Sequence, residues 1–255
     1  MFDHRGWIKF DYDLDIAAWV DAAHRDALGV IADPNMQAEW LQCEGTWFVG
    51  VDALPSCKVG TIAGTPLKGR VMDWLSQVDT KPMHPAQLSV IYKGYPKLRK
   101  DEGEAAFNYR RKRDAAHVDG LLPVGEARRR MLKEPHAYIL GVPLNSCSPK
   151  ASPLVIWEGS HIIMAQTFEK AFSDTPPQRW HTVDLTDVYK AARRQVFDTC
   201  PRVAVHADPG EVYVVHRLAL HGIAPWAEGA SAPKEGRMIA YLRPQLTDVS
   251  KWADL

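Results

Sequence analysis

The chain has 255 residues, a length that one domain can fill, and 46% of them are hydrophobic, which allows a sizeable core. Lysine plus arginine and aspartate plus glutamate both number 31, so the formal net charge is zero and excludes any strong electrostatic demand for nucleic acid or an anionic membrane. A small molecule is the partner we expect. The four sparse cysteines form no C-x-x-C pair, and no apolar run is long enough for a signal or spanning segment, so we expect a cytoplasmic protein.

The first half of the chain holds few regular signals. Residues 6 to 12 alternate as a strand does, and the apolar residues from 16 to 27 recur at helical spacing behind Asp13 or Asp15 as the N-cap. The stretch from 47 to 79 mixes short apolar pieces with glycine and proline and predicts no element.

The second half is richer in strands. Runs of apolar and β-branched residues bounded by glycine or proline predict strands over 87–96, 136–144, 153–159, 202–207, 211–220 and 237–244. Two helical patterns lie between them, over 162–172 and 185–197, and the charge-dense segment 97–114 is expected to be solvated. Short strands with glycine and proline turns favour a mainly β fold with flanking helices, a sandwich or barrel, over alternating βαβ units.

Three pairs have the form H-x-D, and only one of them suits a metal ion. Residues two apart on a strand share one face, so an imidazole and a carboxylate there can reach the same ion. The pair in 24–26 lies in a helical pattern, where residues two apart point away from each other, and the pair in 206–208 runs into an Asp-Pro-Gly turn. The remaining pair, His117-Val-Asp119, precedes a glycine where a strand ends in a loop, a common address for functional residues.

A facial triad of two histidines and one carboxylate needs one more histidine and leaves three coordination positions open. His221 is the better candidate because it ends a strand and precedes Gly222, where the backbone can turn close to a ligand. His216 lies five residues earlier and would face the other side of a regular strand.

An arginine is the side chain best suited to pair with the far carboxylate of a dicarboxylate cosubstrate. If strands 211–220 and 237–244 pair as a hairpin, Arg237 starts near the level of His221. Lys234 is a rival. Arg243 shares the strand face of Arg237 but lies about 20 Å along it at roughly 3.3 Å per residue.

These features, taken in order, resemble the iron(II)- and 2-oxoglutarate-dependent oxygenases, and among them the phytanoyl-CoA dioxygenase-like branch. The resemblance is carried by the H-x-D pair, LVIWEGSH at 154–161, PGEVYVVHRLALHG at 209–222 and Arg237. It implies one domain over 1–255 with a double-stranded β-helix, a jelly-roll or cupin-like barrel. The strand and helix at about 6–28 would precede a barrel core at about 87–244, interrupted by a helical insertion at about 161–200.

The resemblance also implies a site and an activity. The implied iron(II) ligands are His117, Asp119 and His221. The implied 2-oxoglutarate contacts are Arg237 and, as further candidates, Gln87 and Tyr92. The implied reaction is hydroxylation of an unidentified small molecule through a ferryl intermediate, with release of succinate and carbon dioxide. Retention of Asp119 argues against halogenating relatives, in which a small residue at that position leaves room for chloride.

Two other interpretations stay open. A cupin-type metalloprotein that does not use 2-oxoglutarate, such as an isomerase or another oxygenase, would place further histidines on the metal, from His161, His206 or His216. A non-catalytic binding module on the same barrel would have no physical need for the triad and the arginine together. The basic runs 110–113 and 128–130 could collect an anionic substrate or could form solvated faces.

Overall fold

A computed structural model describes residues 2–100 and 102–255 of the chain. The strands within them are β1 (Trp7–Phe10), β2 (Leu41–Gln42), β3 (Trp47–Leu54), β4 (Ala86–Ile91), β5 (Leu121–Val124), β6 (Arg129–Leu132), β7 (Tyr138–Pro143), β8 (Leu154–Trp157), β9 (Arg202–Val205), β10 (Val212–His216), β11 (His221–Ile223) and β12 (Arg237–Leu242). The α-helices are α1 (Phe2–Arg5), α2 (Leu14–Ala32), α3 (Pro34–Trp40), α4 (Arg70–Leu75), α5 (Glu104–Lys112), α6 (Ser160–Phe172) and α7 (Thr186–Thr199). Short 3₁₀ helices span Pro177–Thr182 and Val249–Lys251.

Two antiparallel sheets form the frame of the molecule. The large sheet has the strand order β1-β10-β7-β12-β4-β3-β2, the small sheet has the order β11-β8-β9, and β5 and β6 form a separate hairpin. Apolar side chains of both sheets meet in one layer that includes Ile139, Leu154, Ile156, Val205, Val215 and Ile239. The fold is therefore mainly β with flanking helices, as predicted, and two facing antiparallel sheets are the architecture of a jelly roll.

The helix α2 covers the opposite face of the large sheet. Its predicted apolar stripe is buried in the main core, where Trp19 is fully buried and its indole N–H donates to the carbonyl of Gly60 at 2.8 Å. Asp13 is the N-cap, and its side chain accepts a hydrogen bond from the backbone N–H of Asp15. Among the described residues, none of the helices is both long and apolar enough to cross a membrane.

The hairpin considered between strands 211–220 and 237–244 does not form. β7 lies between β10 and β12 in the large sheet, and β11 belongs to the small sheet. Consecutive strands at this end of the chain alternate between the two sheets, so sequence neighbours do not become sheet neighbours. Arg237 is consequently not placed beside His221 by strand pairing, and the other end of β12 approaches the H-x-D pair instead.

The segment 97–114 is a second departure from expectation. It contains α5, and Arg110 within it is only 5% exposed, with its guanidinium paired to Glu102 and 2.6 Å from the sulphur of Cys43. The unassigned stretch from 47 to 79 holds β3 and α4. β1 and β3 both join the large sheet, so that sheet extends beyond the predicted 87–244 core.

Candidate metal centre

A pair of backbone hydrogen bonds brings the two predicted histidine ligands together. The N–H of His117 donates to the carbonyl of His221 at 2.8 Å, and the N–H of His221 donates back to His117 at 3.0 Å. Residues directly opposite on antiparallel chains hold their side chains on the same face at short range. The two imidazole rings accordingly lie with their centroids 4.6 Å apart.

Asp119 completes the cluster from two residues further along the chain. Its Oδ1 lies 3.0 Å from Nε2 of His117 and 3.7 Å from Nε2 of His221. One ligand atom from each of the three residues lies within 4.8 Å of the others. The structure thus assembles two imidazoles and one carboxylate around a single point.

The backbone also fixes which ring nitrogen of each histidine faces that point. Nδ1 of His117 lies 2.9 Å from the carbonyl of Ala115, and Nδ1 of His221 lies 2.9 Å from the carbonyl of Ala219. A carbonyl only accepts, so each Nδ1 carries the hydrogen and each Nε2 keeps its lone pair for a metal. Such a donor set of two neutral imidazoles and a carboxylate fits iron(II) with three positions left open.

Arg243 holds the carboxylate of Asp119 from the other side. Its Nη1 donates to Oδ2 of Asp119 at 3.0 Å, and its Nη2 donates to the side-chain carbonyl of Gln87. Burial would raise the pKa of Asp119, but the charge of Arg243 and the neighbouring imidazoles of His117 and His221 hold that pKa well below its usual value. Asp119 is therefore a carboxylate at neutral pH.

Two glycines allow the chain to pass closely behind the cluster. A Cβ on Gly222 would lie 2.1 Å from the carbonyl oxygen of Asp114, and a Cβ on Gly120, whose φ is +83°, would lie 2.0 Å from the carbonyl oxygen of Glu134. Gly222 was expected to let the backbone approach a ligand, whereas in the structure it lets the backbone approach Asp114. The Asp114 carboxylate is itself fixed by two bonds from Arg202, at 2.7 and 2.9 Å.

A cavity of about 450 Å³ opens over the cluster. Trp47, Val49 and Leu122 are among the apolar side chains that line it. Its polar lining includes a hydrogen-bonded pair in which Nε2 of His136 lies 3.2 Å from the Glu134 carboxylate and Nδ1 of His136 lies 3.0 Å from the carbonyl of Arg243. That volume exceeds what a metal ion needs and is large enough for small organic molecules.

Arg237 lies on the same face of β12 as Tyr241 and Arg243, because side chains alternate along a strand. It is 4% exposed, its Nη1 has no hydrogen-bond partner, and the hydroxyls of Tyr213 and Tyr241 are beside it. Those two hydroxyls are 3.1 Å apart. The absent side chain of Gly141, which pairs with both tyrosines in the sheet, makes room for the Tyr213 ring.

The other predicted cosubstrate contacts fall in different places. Gln87 lines the cavity and pairs with Arg243. Tyr92 follows the end of β4, packs against the main core and lies next to Gly236, and it does not line the cavity. The rival Lys234 is exposed.

The sequence reasoning missed Tyr213 and Tyr241 and undervalued Arg243. Strand alternation in RMIAYLRP already places Tyr241 on the face of Arg237, so that pattern could have found it.

The histidines that a cupin-type site would require are elsewhere. His161 and His216 contact each other beneath the N-terminal segment, with ring centroids 5.0 Å apart, and Nε2 of His161 lies 3.0 Å from the carbonyl of Asp3. His206 lies near Asp208, at 3.6 Å. None of the three has an atom in the metal-binding group.

Side chains of the two basic runs contact other residues and do not line the cavity. Arg110 is buried against Glu102, and the guanidinium of Arg113 lies over the ring of Phe197. In the second run, Arg129 pairs with Asp184. No member of either run lines the cavity, so an anionic substrate loses the support that these runs offered.

Comparison with known proteins concerns the fold of the chain. No protein-family model matches the chain, and no curated protein sequence matches it. Among solved structures, the chain is similar to the non-heme alpha-ketoglutarate-dependent carbocyclase SnoK from nogalamycin biosynthesis, with a TM-score of 0.51, 15% identity, and coverage of 96% of this chain and 81% of that one. It is also similar to AviO1 from Streptomyces viridochromogenes Tue57, with a TM-score of 0.51, 15% identity, and coverage of 97% and 93%.

At this level of identity the similarity establishes the fold. The predicted resemblance to iron- and 2-oxoglutarate-dependent enzymes is confirmed as a likeness of fold to a non-heme alpha-ketoglutarate-dependent enzyme. The phytanoyl-CoA dioxygenase-like branch stays a prediction.

The close approach at Gly222 leads to a testable prediction. Gly222→Ala should push the 114–117 segment away, separate His117 from His221 and weaken binding of Co²⁺, used as a stable probe, by about 10-fold or more. Gly29→Ala, in α2 with open space around it, is the matched control and should leave Co²⁺ binding unchanged while stabilising the fold by about 0.5–1 kcal/mol. Unaltered Co²⁺ affinity in Gly222→Ala would contradict this account of the bridge.

Proposed function

We propose that this protein is an iron(II)- and 2-oxoglutarate-dependent oxygenase that hydroxylates a small organic molecule. The observation that carries the proposal is a cluster of two histidines and one carboxylate in a chain that also buries Arg237, whose Nη1 has no hydrogen-bond partner. Three metal-ligating side chains alone would fit several reactions. A buried guanidinium on the same strand as residues that line the cavity adds a demand for a carboxylate ligand.

His117, Asp119 and His221 would hold the iron, each through one atom, with both histidines oriented by backbone carbonyls. Bound iron(II) together with 2-oxoglutarate would allow dioxygen to oxidise a substrate C–H bond, with succinate and carbon dioxide as co-products. The chain's own task is to leave adjacent positions of the iron free and to keep the reacting groups in order.

Arg237 would bind the far carboxylate of 2-oxoglutarate. A buried charge without a counter-charge destabilises a protein by several kcal/mol, about 3–5 when one partner of a buried pair is removed. Within residues 2–100 and 102–255, the polar groups beside it are the hydroxyls of Tyr213 and Tyr241 and the thiol of Cys147, and none of them is a carboxylate. A bound carboxylate could accept from the guanidinium and from both hydroxyls, which would resolve the unpaired charge.

The cavity favours a neutral or cationic substrate over an anionic one. Among the lysines and arginines of the described residues, Arg243 alone lines the cavity. Its guanidinium already donates hydrogen bonds to Asp119 and Gln87. Asp52 and Glu134 place carboxylates on the lining, and the hydrogen bond from His136 lowers the pKa of Glu134, so that it accepts hydrogen bonds from a substrate. The apolar side chains beside them suit a hydrocarbon face.

The metal assignment is tested by an anaerobic absorption titration with iron(II) and then 2-oxoglutarate. The wild type should develop the weak visible band of a chelated 2-oxo acid, and His117→Ala should lose it because one ligand is gone. His206→Ala, which removes a histidine outside the cluster, is the control and should keep the band. Iron binding without a band at any 2-oxoglutarate concentration would favour a cupin-type protein that does not use 2-oxoglutarate.

The substrate class is tested by a succinate-release screen. Amines and polyols should stimulate succinate release above the uncoupled rate more often than carboxylates and phosphates of similar size do, and Glu134→Gln should reduce that stimulation. Stimulation mainly by anions would contradict the assignment of the cavity lining.

A further inference from the structure

We infer that Arg243 is a positioning residue that keeps Asp119 a one-oxygen ligand, so that three metal positions stay open, two for a chelating cosubstrate and one for oxygen. This inference rests on the proposed function and adds a role for a residue outside the triad. The two carboxylate oxygens of Asp119 face different groups. Oδ1 lies 3.0 Å from Nε2 of His117, and Oδ2 lies 3.0 Å from Nη1 of Arg243.

A carboxylate can bind a metal through one oxygen or through both. If Asp119 used both, it would occupy two positions, and a triad with two histidines would leave two rather than three for 2-oxoglutarate and oxygen. To do so, Asp119 would have to turn Oδ2 toward the ion and break its bond to Arg243. A bond between a guanidinium and a carboxylate is among the stronger hydrogen bonds in proteins, so Arg243 opposes that turn.

The guanidinium is held well enough to do this. Its second nitrogen donates to the side-chain carbonyl of Gln87 on β4, the strand beside β12. The Arg243 side chain is 24% exposed and the Asp119 side chain 8%, so water competes only weakly for their bond. Gln87, first considered as a cosubstrate contact, thereby gains a second role as the anchor of Arg243.

Arg243 also places a positive charge close to the expected metal position. That charge repels a cation and competes for the electrons of Asp119. Removing Arg243 should therefore leave the bare ion bound as tightly as before or more tightly, while taking away the position that a third ligand would use beside a chelator. A residue that only maintained the local structure would produce the opposite pattern, in which both affinities fall together.

The experiment uses Co²⁺ as the metal and acetohydroxamate as a chelator that binds through two oxygens and has no carboxylate. Azide is then added to the acetohydroxamate complex as a third ligand, and visible absorption of the full chain reports each binding step. In Arg243→Met, Co²⁺ affinity should be equal to or higher than that of the wild type, and azide should bind to the acetohydroxamate complex about 10-fold more weakly or not at all. Arg243→Lys, which can still donate to Oδ2, should recover part of the azide affinity.

The control is Arg129→Met, which removes a surface arginine paired with Asp184 and should change none of these affinities. Unchanged azide binding in Arg243→Met, with weaker binding of 2-oxoglutarate, would overturn the inference in favour of a direct contact between Arg243 and the cosubstrate. A parallel loss of Co²⁺ and acetohydroxamate binding would overturn it in favour of a structural role. Failure of the wild type to bind Co²⁺ would instead refute the metal site and with it the proposed function.

Discussion

Two backbone hydrogen bonds between His117 and His221 join a loop after α5 to the first residue of β11, a strand of the small sheet. They set the separation of the imidazoles before any metal is considered, and the carbonyls of Ala115 and Ala219 then set the orientation of the rings. Gly222 and Gly120 make the close backbone approaches possible. A preorganised cluster of this kind depends on main-chain geometry more than on the side chains themselves, which is what a tightly held metal site requires.

The two charged contacts of the site lie at different positions along β12. Near its end, Arg243 meets Asp119 at the metal cluster, and at its start Arg237 is buried beside two tyrosine hydroxyls. A rigid strand therefore separates a cation that serves the metal ligand from a cation that lacks a partner. The unpartnered Nη1 of Arg237 gives a carboxylate cosubstrate a physical basis independent of the resemblance in sequence.

Local patterns in the sequence predicted much of the fold and the core of the site. Runs of apolar and β-branched residues located most strands of the second half, and helical spacing located α2, α6 and α7. The H-x-D pair was selected because it was expected to end a strand, but His117 and Asp119 lie in a loop before β5. The hairpin of the last strands was wrong because strand partners in a two-sheet fold are set by long-range packing, which no local pattern encodes. For the same reason, the importance of Arg243 could not be predicted, since its contact with Asp119 spans 124 residues.

The most direct test of the account compares two cosubstrates of equal length, 2-oxoglutarate and 2-oxopentanoate, which lacks the far carboxylate. Their binding to the iron(II)-loaded wild type and Arg237→Met would be measured by anaerobic calorimetry. The account predicts that the wild type prefers 2-oxoglutarate by on the order of 10- to 100-fold, as charge-assisted hydrogen bonds of about 1.5–3 kcal/mol would give, and that Arg237→Met has lost this preference while remaining folded. An equal preference in both proteins would contradict the assignment of Arg237, and no preference in the wild type would contradict the choice of cosubstrate.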